Sequence, residues 1–236
     1  RDNDFLVGVS LDGTEDIHDA HRRDGENGSF QQIVRAVKLL QEENVDFNVL
    51  SVVTEKMCGR AEEVYTGLKG LGVQYIQFIP CIAPAVGEGW AGCSLTAGHY
   101  AEFLKELFDL WYTDYLEGEY VSIRAFDDYV HILAGDKPGA CAAAGECGRY
   151  MVIEADGRAY PCDFFAWDKY CLGGFGKYTV EQLYEHLEES KFIKCPPRNA
   201  KCISCLYYYA CRGGCRKDYI TQGGIVANQY CEAYKK

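Results

Sequence analysis

The sequence lacks a long hydrophobic run and has few basic residues. No apolar segment approaches the roughly 20 residues that a membrane-spanning helix needs. Its 24 Lys and Arg stand against 35 Asp and Glu, which gives a formal net charge of −11 at pH 7. Because non-specific binding to nucleic acid needs a basic surface, the composition argues against both a membrane protein and a non-specific nucleic-acid-binding protein. Low-complexity segments are also missing.

Cysteine is abundant instead, with 13 among 236 residues. Cys202, Cys205, Cys211 and Cys215 form a C-x2-C-x5-C-x3-C run, whose short gaps allow neighbouring thiolates to face one metal centre. Gly213 would let the backbone approach that centre closely. Further candidate ligands flank the run at Cys141, Cys147, Cys162 and Cys231. Eight candidates indicate two centres, and the last cysteine of such a run often ligates the other centre.

Two other interpretations of the cysteines remain open. Structural zinc also uses four thiolates, and an oxidising compartment would favour disulfides. The odd count and the absence of a signal-peptide pattern argue against a disulfide framework. Free thiols favour a reducing compartment, so a cytoplasmic protein is expected. Basic residues near the run form a solvated face or offset the negative charge of thiolate-ligated clusters: Lys191, Lys194, Arg198, Lys201, Arg212, Arg216 and Lys217.

The first half of the chain alternates strands and helices. Apolar runs predict strands at 5–10, 46–53 and 73–80, and helical periodicity predicts helices at 30–43, with Ser29 as N-cap, and at 60–71. This order implies an α/β class with a parallel sheet and right-handed crossovers. Three strands are too few for a closed barrel, so we expect the tail of a larger βα array. In such barrels the chemistry lies at the C-terminal strand ends, here 10–13, 53–54 and 78–80.

The second half is organised around a turn-rich hinge at 135–139. Helices are predicted before it at 96–116 and 125–133, after a loop at 81–94. We therefore expect domains at 1–135 and 136–236. Beyond the hinge, 150–154 and 158–162 predict a β-hairpin around Asp156 and Gly157, and 180–190 predicts a helix. The tail has little apolar core, so bound metal must supply stability.

The cysteine pattern resembles that of the SPASM domain, the C-terminal extension of radical S-adenosylmethionine (SAM) enzymes that modify peptides. Its seven cysteines correspond to Cys147, Cys162, the run at 202–215 and Cys231, with Gly157 between the first two. Other segments resemble anaerobic sulfatase-maturating enzymes, namely VGVSLDG at 7–13, IHD at 17–19 with Arg22, VDFNVL at 45–50, QFIP at 77–80, FDLW at 108–111 and YPCDF at 160–164. The resemblance implies the C-terminal half of a partial radical-SAM barrel, followed by a small cysteine-rich α+β SPASM domain.

By this resemblance, the protein takes part in oxidising a Cys or Ser of a sulfatase to formylglycine. In such enzymes, reductive cleavage of SAM gives a 5′-deoxyadenosyl radical that takes a hydrogen from the target Cβ. The implied cofactors are two auxiliary [4Fe-4S] clusters, with SAM and a third [4Fe-4S] cluster in the full-length enzyme. One auxiliary cluster is assigned to Cys141, Cys147, Cys162 and Cys215, and the other to Cys202, Cys205, Cys211 and Cys231. The implied partners are an unfolded or nascent sulfatase polypeptide and an electron donor such as flavodoxin or ferredoxin.

The resemblance also assigns four further site residues. Asp163 matches the proposed general base, a role that burial beside a cluster would suit by raising its pKa; otherwise it caps a turn. Ser10 and Arg22 match positions that hold the SAM carboxylate, for which Arg offers a bidentate grip; otherwise they are a strand-end residue and a surface helix residue. Gln77 would face substrate or cofactor.

The C-x3-C-x2-C loop that holds the radical-generating cluster in these enzymes has no counterpart in the sequence. We expect it to precede Arg1, so that the chain alone should not cleave SAM and its partial barrel should expose apolar edges. Two alternative functions remain. One is another SPASM peptide maturase, such as a thioether-forming one, and the other is a non-catalytic zinc-stapled protein-binding module. The remaining cysteines are interpreted as structural, at Cys58, Cys81, Cys93, Cys171 and Cys195.

Overall fold

The computed structural model describes residues 3–81, 95–190, 192–193, 199–222 and 225–236. The chain divides into two compact units, Arg1–Ala134 with Glu232–Lys236, and Gly135–Cys231. Most of the loop expected at 81–94, with Cys93, lies outside the described residues, as do Cys195 and three of the basic residues near the cysteine run. Within the described ranges, no helix is long and apolar enough to cross a membrane.

The first unit contains a parallel sheet, as predicted. Its strands are β1 (Val7–Ser10), β4 (Phe47–Val53), β5 (Tyr75–Pro80) and β6 (Ser122–Ile123), and they lie in the order β1-β4-β5-β6. All three pairings are parallel. The short strands β2 (Arg23–Asp24) and β3 (Asn27–Gly28) form a separate hairpin. The sequence did not predict β2, β3 or β6, because two residues are too few to show a periodic pattern.

Five helices belong to the first unit: α1 (Glu15–Asp19), α2 (Phe30–Glu42), α3 (Ala61–Gly70), α4 (Ala97–Glu117) and α5 (Arg124–Ala134). All except α1 were predicted to within a residue at each end. The Thr96 hydroxyl caps α4 by accepting the His99 N–H, and Gly118 ends the helix in the left-handed conformation. Among the aromatic residues of α4, Phe103 is buried, whereas Phe108 is 43% exposed. The Phe103 ring packs edge-on against Phe78 of β5.

The two faces of the sheet differ in burial. Val9, Val49 and Ile76 form one register row across β1, β4 and β5, and all three are buried. The next row is Ser10, Leu50 and Gln77, in which Ser10 is exposed and the other two are half-buried. Successive side chains of a strand point to opposite faces. Helices therefore cover one face of the sheet, and the face that carries Ser10 is more open.

The second unit combines short strands and short helices. Strands β7 (Val152–Ile153), β8 (Arg158–Tyr160) and β9 (Gly173–Gly174) form an antiparallel sheet, and the predicted hairpin is its β7–β8 pair. The strands β10 (Tyr219–Gln222) and β11 (Ile225–Asn228) form a second, unpredicted hairpin. The helices are α6 (Cys141–Ala144), α7 (Val180–Glu189) and α8 (Tyr208–Cys211). A small apolar cluster joins β8 and α7 through Ala159, Leu172, Leu183 and Leu187.

Candidate functional site

Cys141, Cys147, Cys162 and Cys215 form one group in the second unit. Cys141 begins α6, Cys162 follows β8, and Cys215 follows α8. Burial raises the pKa of Cys147, and Cys141 adds to the shift. Burial likewise raises the pKa of Cys215 to about 12, with contributions from Asp218 and Cys141. A charge has this effect only over a short distance, so Cys141 lies near both thiols.

Tyr150 connects Cys162 to this group. Its hydroxyl donates a hydrogen bond to the Cys162 Sγ at 3.7 Å. Burial raises the pKa of Tyr150, and both Cys162 and Cys141 raise it further. The structure therefore brings Cys162 and Cys141 to the same aromatic side chain, although 20 residues of sequence separate them.

Cys202, Cys205, Cys211 and Cys231 form the other group. Cys202 ends a short 3-10 turn (Ala200–Cys202), and Cys211 ends α8. Burial raises the pKa of Cys211, and Cys231, Cys202 and Cys205 each raise it further. Cys211 thus interacts electrostatically with Cys202 and Cys205 of the run and with the isolated Cys231.

A left-handed turn separates Cys211 from Cys215 and directs them to different groups. Arg212, Gly213 and Gly214 have φ angles of 47°, 94° and 70°. A side chain on Gly213 would lie 2.8 Å from the Tyr219 hydroxyl oxygen, so glycine is required there both by backbone conformation and by space. The close backbone approach to a metal that the sequence predicts at Gly213 and Gly214 stays a prediction; the structure shows that both glycines belong to this turn.

The donor atoms of the two groups bear on which metal they could hold. Each group offers four thiols, a donor set that suits an iron–sulfur cluster or structural zinc. Glu55, Cys58 and His99 are a further set of metal-binding side chains, whose ligand atoms all lie within 4.8 Å of one another.

Two basic residues lie beside the first cysteine group. Arg216 lowers the pKa of Cys147, and Lys217 lowers that of Cys215, against the larger effect of burial. The Lys217 ammonium forms an ion pair with Asp218, and both side chains are buried, at 7% and 2% exposure. Arg216 and Lys217 thus act electrostatically on thiols of the first group, and their role toward a bound cluster stays a prediction.

Replacing Lys217 by Met is expected to destabilise the second unit by about 3–5 kcal/mol, because it leaves the Asp218 carboxylate buried without its partner. The matched control is Lys235→Met, which breaks a more exposed pair with Glu232 and should cost less than about 1 kcal/mol. Urea unfolding followed by circular dichroism measures both variants. Equal midpoints for the two would show that the buried pair does not stabilise the unit.

Asp163 follows Cys162 at the start of a 3-10 turn (Asp163–Phe165). Its Oδ1 accepts a hydrogen bond from the Cys162 thiol at 3.3 Å. The expectation that this carboxylate is buried is wrong, because its side chain is exposed. The residue before it, Cys162, takes the buried position at the end of the hairpin.

Ser10 and Gln77 lie on the open face of the sheet, in one register row. Leu50 lies between them, so the two residues are two strand spacings apart, about 10 Å. Arg22 lies in the segment after α1, and its Nε donates to the Asp12 Oδ2 at 2.6 Å. The structure therefore places Ser10 and Gln77 on a common face and pairs Arg22 with a carboxylate just after β1.

Asp12 was not predicted as a site residue, although it fixes the segment after β1. It is 5% exposed, and its Oδ1 accepts the backbone N–H of Val52 at 2.8 Å. His18 accepts the Asp12 N–H at Nδ1, and its Nε2 lies 3.0 Å from the Ser29 hydroxyl. That hydroxyl donates to the Arg22 carbonyl oxygen, so His18 is neutral with its proton on Nε2. The sequence placed Asp12 in a turn, and no local signal distinguishes a buried turn aspartate from an exposed one.

The His18 arrangement predicts a loss of stability in mild acid. Burial lowers the pKa of His18, whereas an unfolded histidine titrates near about 6.5. The folded state therefore binds this proton less readily than the unfolded state does. The free energy of unfolding should be unaffected by His18 above about pH 6.5 and should fall as the pH drops below that value, by at most about 1.4 kcal/mol per pH unit. Urea midpoints between about pH 8 and about pH 5.5 measure the slope. A His18→Gln variant should lose the part of this pH dependence that His18 contributes. An unchanged slope in the variant would contradict the assignment.

The structure describes three of the remaining cysteines, Cys58, Cys81 and Cys171. Cys81 is 5% exposed, as expected for a small packing residue, and Cys171 is exposed. Cys58 lies beside Glu55 and His99, an arrangement that the sequence gave no reason to expect.

No family model matches this chain, but individual proteins match along its whole length. It is 39% identical over 240 residues to the cysteine-type anaerobic sulfatase-maturating enzyme of Clostridium novyi (strain NT), a match that covers 100% of this chain and 64% of that enzyme. It is 28% identical over 255 residues to the serine-type enzyme of Bacteroides thetaiotaomicron, covering 99% and 61% of the two chains. This chain thus spans less than two thirds of the length of either relative.

A solved structure has the same fold. Native anSMEcpe with bound AdoMet and the Kp18Cys peptide matches with a TM-score of 0.88 and 36% identity, over 99% of this chain and 66% of that one. This chain therefore has the fold of a protein whose structure was determined with bound AdoMet. It is homologous over its full length to the anaerobic sulfatase-maturating enzymes, which are radical SAM proteins.

Proposed function

We propose that this chain is part of a radical SAM enzyme that oxidises a Cys or Ser of a sulfatase to formylglycine. In this proposal, Arg1–Ala134 with Glu232–Lys236 belongs to a partial barrel that contributes to the SAM and peptide site. Gly135–Cys231 is a SPASM domain that holds two auxiliary [4Fe-4S] clusters. The observation that carries the proposal is the division of eight cysteines into two groups of four, in a chain 39% identical to a cysteine-type maturase.

The proposed cluster ligands follow the two groups. Cys141, Cys147, Cys162 and Cys215 would hold one cluster, and Cys202, Cys205, Cys211 and Cys231 the other. The all-thiolate donor sets suit iron–sulfur clusters, and homology to the anaerobic sulfatase-maturating enzymes favours them over single zinc ions. Bound clusters would supply an electron path, so the carbon radical on the target residue has an acceptor for its electron.

The open face of the sheet supports the proposed SAM and substrate contacts. Ser10 and Gln77 share one register row on this face, and we propose that they face cofactor or substrate. Arg22 would bind the SAM carboxylate with the guanidinium atoms not engaged by Asp12. The bond from Arg22 to Asp12 sets the direction of the guanidinium before the ligand arrives, which lowers the entropy that binding must overcome.

Asp163 is the proposed general base. Its side chain is exposed, so a substrate thiol or hydroxyl can reach it. It would accept the proton that leaves as the target carbon is oxidised to an aldehyde or thioaldehyde. The adjacent buried Cys162 fixes its backbone position, since Cys162 is held by Tyr150 and by the end of β8.

The proposed partners are an unfolded sulfatase segment and an electron donor such as flavodoxin or ferredoxin. The matching structure was determined with a peptide, which supports a peptide substrate for this chain. Identity is higher to the cysteine-type enzyme, at 39%, than to the serine-type enzyme, at 28%, and this difference favours a Cys target.

Two measurements test the proposal. Anaerobic reconstitution should give about eight irons and eight sulfides per chain, as two four-iron clusters require. A chimera completed with the parts of the Clostridium novyi relative outside the matched region should then convert a sulfatase peptide to the aldehyde, detected by mass spectrometry. Zinc uptake without iron would favour the zinc-stapled module, and full iron with a thioether product would favour another peptide maturase.

A further inference from the structure

Three potential metal ligands meet in the first unit, outside the cysteine groups. Glu55 and Cys58 lie in the turn that follows β4, and His99 lies in the first turn of α4. A carboxylate oxygen, a thiol sulfur and a ring nitrogen, one from each residue, all lie within 4.8 Å of one another. The Glu55 Oε1 contacts the His99 Nδ1 directly. The segment before α3 and the start of α4, which begins 42 residues after Glu55, thus meet at these three side chains.

We infer that Glu55, Cys58 and His99 form a binding site for a single zinc ion. Carboxylate, thiolate and imidazole are the three side-chain ligand types that Zn²⁺ uses in proteins. Three protein ligands leave the fourth tetrahedral position for water or a further ligand. This inference is independent of the proposed function, because it uses none of the eight cluster cysteines and no residue of the proposed SAM site.

An unpartnered oxygen at the same place supports a missing cation. The Glu55 Oε2 is buried and has no hydrogen-bond partner among the described residues. A buried carboxylate oxygen without a partner is costly. A bound cation would satisfy the Glu55 Oε2, whereas the ion pair with His99 uses the Glu55 Oε1.

The surrounding charge also suits a cation. Glu55, Glu102 and Glu106 all act electrostatically on the Cys58 sulfur. The last two lie on α4, three and seven residues after His99, and therefore on the same side of the helix. Their negative potential attracts a divalent ion.

The alternative is a structural contact, in which the Glu55–His99 ion pair joins the turn to α4 and the Cys58 thiol donates to the Thr54 carbonyl oxygen at 3.8 Å. This alternative accounts for the Oε1 contact but leaves the buried Oε2 unexplained. The two interpretations differ in a measurable way, since only the first requires zinc.

The experiment uses the anaerobically reconstituted 236-residue chain, with iron already bound, dialysed against Zn²⁺. Metal analysis should give about one zinc per chain with unchanged iron, and X-ray absorption should show a mixed sulfur, nitrogen and oxygen shell. Cys58→Ser, His99→Gln and Glu55→Gln should each weaken zinc binding at least about tenfold. Cys171→Ser, which changes an exposed cysteine elsewhere, should leave it unchanged.

Two outcomes would overturn the inference. One is zinc content that is equal in wild type and in Cys58→Ser. The other is zinc in an all-sulfur shell, which would place the ion at the cluster cysteines. Unchanged iron content and circular dichroism in the variants show that they remain folded. A missing iron–sulfur signal in every sample would instead count against the proposed function and leave the zinc measurement valid.

Discussion

Replacing Cys215 by Ser is expected to remove about half of the bound iron, and replacing Cys211 is expected to remove the other half. The two residues are four positions apart, yet the turn at Arg212–Gly214 directs them to different groups. Each variant should lose about four of about eight irons, and the double variant should lose nearly all. Iron and sulfide analysis after anaerobic reconstitution measures the loss.

The control for this pair is Cys171→Ser, because Cys171 is exposed and lies in neither group. It should retain about eight irons. Electron paramagnetic resonance of the reduced single variants should show two different residual signals, since each retains a different cluster. Identical residual signals, with circular dichroism unchanged, would mean that Cys211 and Cys215 serve one centre and would contradict the division into two groups.

Replacing Asp163 by Asn in the chimera is expected to lower formation of the aldehyde by about 10²–10⁴-fold. The amide keeps the size of the carboxylate but cannot accept the substrate proton. Because Asp163 is not among the proposed ligands, iron content should not change. Mass spectrometry of the sulfatase peptide measures the product, and analysis of 5′-deoxyadenosine measures the earlier SAM cleavage.

These two readouts separate a base from a structural residue. Loss of the product with continued formation of 5′-deoxyadenosine is expected for a base that acts after hydrogen removal. The matched control is Asp168→Asn, which changes an exposed carboxylate in the next 3-10 turn (Asp168–Tyr170) and should retain activity. If Asp163→Asn retains activity to the same extent as this control, Asp163 is not the base.

Elements with a clear period were predictable from the sequence. The helices α2, α3, α4 and α5 have apolar residues at helical spacing, and β1, β4 and β5 are short apolar runs, so both types were found close to their observed ends. The β7–β8 hairpin was found because Asp156 and Gly157 have a strong preference for a tight turn. The convergence of distant cysteines was implied only by the family resemblance, since spacing alone cannot assign Cys231 to one group.

Other features depend on tertiary contacts and have no local signal. Ser29 was expected to cap α2, but its side chain makes no capping hydrogen bond and instead bonds His18 and the Arg22 carbonyl. Asp163 was expected to be buried, but the neighbouring Cys162 occupies the buried position and the Asp163 side chain is exposed. The Lys217–Asp218 pair looks in sequence like two surface charges, and only the fold reveals that both are buried.

The last five residues of the chain have a consequence for biosynthesis. Glu232–Lys236 belong to the first unit, and Tyr234 packs edge-on against Tyr100 of α4. These residues are synthesised after all eight candidate cluster cysteines. Their contact with α4 can therefore form only when the intervening segment, Gly135–Cys231, has closed as a loop. Loop closure costs more entropy as the free length grows, and metal bound to the cysteines shortens that length. If the proposed clusters form, iron supply would therefore affect how readily the residues Glu232–Lys236 reach their contact with α4.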